Sequence, residues 1–227
     1  MLWRILSLVL VVQLMLSAWP ATAGIIIGGT RVIYSGDKSD ATISVKNNDS
    51  ALPYLIQTWV DPFDKSSSQK KPPFTVIPPV SRLEAKQEKV LRIMKIQGDL
   101  PQDRESVFWL NIKNIPPSSN NPNALEVAIK TRIKLFWRPA SINATPETMA
   151  AKVKWSVKDK LLIVENPGPI HINVMNVTVD GKDVPLNIIR PFETLSLQLP
   201  VGVTGHSMVW RYVNDFGAIS KDIKIAF

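Results

Sequence analysis

The segment Leu125-Glu126-Val127-Ala128-Ile129-Lys130-Thr131-Arg132-Ile133-Lys134-Leu135-Phe136-Trp137 constrains the fold more than any other part of the chain. Apolar and polar residues alternate almost without a break over its 13 positions. At about 3.3 Å per residue that is a β-strand of roughly 40 Å, twice the usual length. Two readings follow. The whole segment is one long core strand, with Lys130, Arg132 and Lys134 in water. Alternatively, only its later half packs in its own core, and Leu125, Val127 and Ile129 form an exposed apolar edge. Such an edge is an aggregation liability unless it serves to pair with another chain. Pattern alone leaves both open.

The rest of the chain agrees with a β-protein. Short segments rich in Val, Ile, Thr and aromatics recur at 25–34, 41–46, 54–60, 74–77, 89–95, 106–112, 152–157, 161–165, 172–179, 194–199, 208–213 and 222–227. Turn chemistry separates them: Asn47-Asn48-Asp49, Pro72-Pro73, Pro78-Pro79, Gly98-Asp99, Pro116-Pro117, Asn120-Asn121-Pro122 and Asp180-Gly181. No stretch keeps a capped 3.6-residue period, so helices are single turns at most. The fold class is all-β. The strands fall into two groups on either side of the proline-marked stretch Arg138–Pro146. This predicts two sandwich domains, residues 24–141 and 142–227, each near the size of an immunoglobulin-like domain. No repeat relates the two halves.

Residues 1–23 read as a signal peptide: one positive charge at Arg4, an apolar run from Ile5 to Leu16, then Ala21-Thr22-Ala23 before Gly24. The run is too short for a membrane span, which needs about 20 apolar residues. The expectation is an exported protein with no stable membrane anchor. Cysteine is absent, so neither disulfides nor thiol chemistry enter. The formal charge of +8 invites a polyanion partner. Export argues against nucleic acid, and the cations are scattered through many segments.

Enzymatic readings find little support. His171 and His206 lack a third ligand at metal spacing, and no nucleophile elbow, phosphate loop or zinc-protease motif occurs. Each histidine reads as a surface or turn residue, and Gly28-Gly29 as a bulge ahead of a strand. No cofactor or metal is expected.

Several blocks together resemble the PapD-like periplasmic pilus chaperones of the chaperone–usher pathway. They are Thr30–Tyr34, Leu52–Gln57 with Trp59, Pro78–Val80 with Arg82-Leu83-Glu84, Leu100–Ser106, Asn114–Pro117, Ile133–Pro139, Asn166–Pro169 and Asn214–Ala218. The resemblance covers nearly all of the chain after residue 23. It implies two immunoglobulin-like sandwiches set at an angle with a cleft between them, and a non-enzymatic periplasmic chaperone. Such a protein binds, folds and caps pilus subunits by lending a strand, then delivers them to an outer-membrane usher.

The resemblance assigns roles residue by residue. Arg31 and Lys134 match the pair that anchors a subunit's C-terminal carboxylate. Leu125, Val127 and Ile129 match the donor strand that fills the subunit's groove. Glu105, Arg138 and Asp215 match a charge network at the hinge. Self-association of the free chain through residues 125–129 is a further expectation, because a bare apolar edge seeks a partner.

Two departures stand out. The family's Asn-Pro-Thr-Pro-Tyr is Asn166-Pro167-Gly168-Pro169-Ile170 here, which predicts a looser turn. Gly28-Gly29 replaces an acid and a base ahead of Arg31. The short connection from Pro116 to Ala124 and the lack of cysteine resemble the short-loop subfamily that serves rod-like pili. The rival readings are a structural pilus subunit or adhesin, for which the chain is too long, and a secreted sandwich hydrolase, for which it lacks a nucleophile–base set.

Overall fold

A computed structural model describes residues 3–4, 24–64, 71–96, 98–118 and 125–227. The leader expected over 1–23 therefore lies, apart from Trp3 and Arg4, outside the described residues, as does the Asn120-Asn121-Pro122 turn. The all-β expectation holds. The first domain contains β1 (Ile25–Ile27), β2 (Arg31–Ser35), β3 (Asp40–Asn47), β4 (Tyr54–Pro62), β5 (Phe74–Ile77), β6 (Val80–Leu83), β7 (Glu88–Lys95), β8 (Ser106–Ile115) and β9 (Ile129–Arg138). They form two sheets, in the orders β1-β3-β7-β5 and β2-β9-β8-β4-β6. Alternate residues from both sheets meet in one core: Ile43, Val45, Leu91 and Ile93 from one, and Val32, Tyr34, Leu110, Ile112, Ile133 and Leu135 from the other.

The segment 25–34 reads in sequence as one strand but splits in two. β1 pairs antiparallel with β3, whereas β2 pairs parallel with β9, so Gly28-Gly29-Thr30 carries the chain from one sheet to the other. The expected bulge is instead a change of sheet. Gly28 donates its N–H to the Ser44 carbonyl at 2.9 Å, and a Cβ there would collide with the Ser44 hydroxyl. A side chain at residue 28 would require the Ser44 hydroxyl to turn away.

The second domain opens with a single helical turn, α1 (Pro146–Ala150), capped by Thr145 with Thr148 and carrying Pro146 in its first turn. It continues with β10 (Lys154–Lys158), β11 (Leu161–Glu165), β12 (Ile172–Val179), β13 (Lys182–Asp183), β14 (Ile188–Ile189), β15 (Thr194–Gln198), β16 (Ser207–Val213) and β17 (Ile223–Ala226). The sheets are β10-β11-β15 and β13-β12-β16-β17, with β14 also on β12. Leu162, Val164, Ile170, Ile172, Val177, Val179 and Trp210 form a second core that shares no buried side chain with the first. Asp180-Gly181 makes the two-residue turn its composition predicts, with both φ angles positive (47° and 78°) and Val179 opposite Lys182. The Asp180 carboxylate also accepts the N–H groups of Thr204, Gly205, His206 and Ser207. Those donors, Ser207 and Gly205 foremost, hold its pKa well below the usual carboxylate range.

The turn after β11, where the chain departs from the family pattern, is held by hydrogen bonds of Asn166. Buried Asn166 donates to the carbonyls of Ile170 (2.8 Å) and Arg190 (2.9 Å), and its own oxygen accepts the Gly168 N–H at 3.0 Å. The Met149 sulfur occupies the space a side chain at 168 would need, and Ile170 is fully buried. Asn166→Ala leaves two buried backbone groups and one part-buried group short of a partner and should destabilise the protein by about 1–3 kcal/mol. Urea unfolding of the variant measures this, and an unchanged midpoint would show that water satisfies those groups.

Candidate functional site

β9 pairs with β8 along its whole length, from Ser106 opposite Trp137 to Asn114 opposite Ile129. Its other edge is paired for only half of that. β2 joins it at Arg31 opposite Lys134 and continues to Ser35 opposite Arg138, and the chain before Arg31 turns away to the other sheet. Among the described residues, no strand pairs with Ile129–Ile133 on that side. The alternating segment thus behaves as the second of the two sequence readings has it, with one difference. The strand begins at Ile129 instead of Leu125. Its ladder partner β8 ends at Ile115, where Pro116 and Pro117 remove the next donors.

The apolar stripe of β9 outruns its core. Ile133, Leu135 and Trp137 are buried, whereas Leu125, Val127 and Ile129 are 89%, 56% and 56% exposed. Val127, Ile129 and Thr131 line a cleft of about 240 Å³ with Ile25, Ile27, Tyr54, Ile112 and Asn114. Here the facing sheet has only the three residues of β1 to offer. Three large apolar side chains therefore stand beside an unpaired backbone edge.

That bare lane ends at two cations. Arg31 and Lys134 are register partners, so they sit side by side at the mouth of the lane. The Arg31 Nε and Nη1 atoms are buried and have no hydrogen-bond partner among the described residues. Burial lowers the Arg31 pKa, partly countered by the Asp215 charge. The Lys134 ammonium donates to Asn173 Oδ1 at 2.7 Å. Burial first, and the Arg31 charge second, hold its pKa down to about 8 from an ordinary 10.5. Two adjacent like charges, with buried Arg31 donors left over, have chemistry that an anion would satisfy, and a planar carboxylate would suit the guanidinium fork. No group of three or more His, Cys, Asp or Glu side chains able to hold a metal occurs among the described residues.

A second set of charges meets at the hinge. Arg138 donates from Nε to Glu105 Oε1 at 2.9 Å and from Nη1 and Nη2 to the two Asp215 oxygens at 2.7 and 3.0 Å. Its Nη1 also reaches the Ala144 carbonyl at 3.3 Å. Burial alone would lower the Arg138 pKa, but Asp215 and Glu105 outweigh it and raise it well above the ordinary value. Glu105 is itself buried; its Oε2 accepts the His171 N–H and meets His171 Nδ1, both at 2.9 Å. His171 is therefore not the surface residue the sequence suggests. It is 5% exposed and packs against the Phe136 ring. His206 does lie at the surface, beside Thr204.

Sequence reasoning missed His171 and Asn173 as parts of this interface. Their one signal is period two: Ile170, Ile172 and Val174 enter the second core, which turns 171 and 173 the other way. The outward face of β9 meets them in step. Lys134 bonds Asn173, Phe136 packs on His171, and Arg138 bonds Asp215.

Residues 24–143 match the family described as pili and flagellar-assembly chaperone, PapD N-terminal domain, and residues 148–224 match the pili assembly chaperone PapD, C-terminal domain. The probable fimbrial chaperone LpfB of Escherichia coli O157:H7 is 36% identical over 219 residues, which are 94% of this chain and 93% of that one. The chaperone FimC of Escherichia coli K12 is 34% identical over 220 residues, covering 95% and 90%. Among solved structures, a chain from the Salmonella enterica complex of SafA pilin with the SafB chaperone superposes with a TM-score of 0.79 at 38% identity, over 92% of this chain and 99% of that one. The chaperone DraB of E. coli superposes with a TM-score of 0.77 at 34% identity, over 91% and 97%.

The Lys134 site makes a pH prediction. The folded protein holds this lysine at about 8 and the unfolded chain at about 10.5, so between those values the unfolded state binds more protons. The stability contributed at Lys134 therefore rises with pH through that window. The difference in unfolding free energy between wild type and Lys134→Met should move in favour of the wild type from pH 8 to pH 10.5. A pH-independent difference would show that Lys134 is solvated. At the hinge, Arg138→Ala strands buried Glu105 and should destabilise the protein by about 3–5 kcal/mol. Thermal or urea unfolding reads this, and a loss below 1 kcal/mol would mean that the network is solvent-relaxed.

Proposed function

The chain belongs to the PapD family of pilus-assembly chaperones, and we propose that it captures a pilus subunit by pairing the bare edge of β9 with the subunit's own backbone. It is a chaperone of pilus assembly, neither an enzyme nor a structural subunit, as its relatives at 34–36% identity are. The observation that carries the mechanism is the half-filled lane beside β9. β2 occupies one half, the other half is open, and the boundary is marked by Arg31 with its unused buried donors.

A strand laid in the open half, ending in a carboxylate at Arg31 and Lys134, would run collinear with β2 and therefore parallel to β9. Its backbone would take up the free ladder groups of Ile129–Ile133. Each charge-assisted hydrogen bond at the carboxylate contributes about 1.5–3 kcal/mol. Fixing the chain end also fixes register. A slip of one residue would turn every subunit side chain to the wrong face. Leu125, Val127 and Ile129 then enter the groove of an incomplete subunit, which hides both apolar surfaces from water. The Glu105–Arg138–Asp215 network keeps the second domain in place beside the anchor. The SafB relative, solved together with the SafA pilin, supports a subunit as the partner.

The setting proposed for this exchange is the periplasm, with transfer of the subunit to an outer-membrane usher. No helix among the described residues is long and apolar enough to cross a membrane. In the absence of a subunit the same edge offers a route to self-association, since two copies can shield each other's Val127 and Ile129. Co-expression with the pilus subunits of its source, followed by purification of the chaperone, tests the anchor. Wild type should retain a subunit stoichiometrically, whereas Lys134→Ala and Arg31→Ala should each lower retention at least about tenfold while staying folded. Equal retention by all three proteins would remove the anchor from the mechanism.

A further inference from the structure

Among the described residues, one side chain of the second domain hydrogen-bonds the Lys134 ammonium. Asn173 lies on β12 and is 6% exposed, and its carbonyl oxygen accepts from the Lys134 ammonium across the domain boundary. A lysine ammonium is a compact charge on a flexible four-carbon stem. Its neighbour Arg31 repels it, and in the absence of a restraint both effects would draw it out of the cleft toward water. Asn173 opposes that motion. It takes one of the three ammonium donors and leaves two for a ligand. The identity of the residue matters as much as its position. A carboxylate here would also hold the lysine, but it would cancel the charge and occupy the place of an incoming anion. An amide restrains the lysine and leaves its charge unspent.

We propose that Asn173 is a positioning residue of the anion site: from the second domain it pins the Lys134 ammonium without neutralising it, so capture of a terminal carboxylate depends on the two domains being docked. This rests on the reading of Arg31 and Lys134 as the carboxylate anchor. The coupling has a physical route. Two residues before Asn173, just ahead of β12, His171 bonds Glu105, which bonds the hinge Arg138. β12 and the residue that leads into it therefore carry both the contact that holds the lysine and a contact that holds the hinge. The charged groups near Lys134 are Arg31 from β2 and, acting on Arg31, Asp215, whose oxygens are taken by Arg138.

The test uses acetate as a minimal carboxylate and the ¹³C signals of labelled lysine in the full-length protein, with Lys134→Ala to assign the resonance. In wild type, acetate should shift the Lys134 signal to saturation. Asn173→Ala should weaken that binding about tenfold, the order expected for one hydrogen bond to a charged group. It should also lower the pH at which Lys134 titrates, because the charged form loses an acceptor. Asn173→Asp, which keeps the shape of the native side chain, should abolish acetate binding and raise the Lys134 titration midpoint. If acetate leaves Lys134 of the wild type untouched, the carboxylate anchor fails and the proposal fails with it. If acetate binds wild type but both variants bind it within twofold, the anchor stands and the role of Asn173 is overturned. Should Asn173→Ala not fold, the isosteric Asn173→Asp decides by the same criterion.

Discussion

The hydrogen-bond ladder between β2 and β9 stops at the pair Arg31–Lys134, and the cleft is organised around that stop. It stops because the chain ahead of Arg31 leaves for the other sheet, and Gly28 permits the crossing at close range to β3. A longer β2 would cover Ile129–Ile133 and complete an ordinary sandwich. Ending it at Arg31 leaves backbone donors and acceptors open in register with a cation pair. An exposed edge flanked by Val127 and Ile129 is ordinarily a hazard. On the proposed function, the hazard and the activity are the same surface.

The second domain contributes position rather than bulk to this surface. Its contacts with β9 recur at period two, through Asn173, His171 and Asp215. Burying Glu105 and Arg138 costs desolvation that their mutual attraction does little more than offset. The net effect is geometric: a planar guanidinium bridging two carboxylates admits few arrangements, so the domains hold one relation. The Arg31–Lys134 pair has the opposite character. Its members carry like charge, and Lys134 loses protons more readily than a free lysine. One cluster is satisfied within the protein, and in the other the Arg31 Nε and Nη1 atoms have no partner among the described residues.

Much of this was legible in the sequence, and the limits are informative. Period-two alternation marks the strands, and Asp180-Gly181 marks a turn that forms as its chemistry requires. The over-long apolar stripe from Leu125 to Trp137 announces an edge strand with more apolar surface than its own core uses. The role proposed for Arg31 and Lys134 comes only through family resemblance, since a lone Arg and a lone Lys on strands look like solvated surface. The break between β1 and β2 was hidden because both halves have strand composition, and only tertiary pairing separates them. His171 and Asn173 were hidden for a related reason. A residue that faces away from its own core reads as solvent-facing until a second domain is packed against it.

The central claim is that the open edge of β9 is filled by the backbone of a subunit. Amide hydrogen exchange across residues 129–133, with and without a bound pilus subunit, measures this directly. The account predicts that amides here facing away from β8 exchange quickly in the free protein and become strongly protected in the complex, alongside unchanged protection in β8. A complex that forms while these amides keep exchanging at their free rate would contradict it, and the partner would then have to be held by side chains alone.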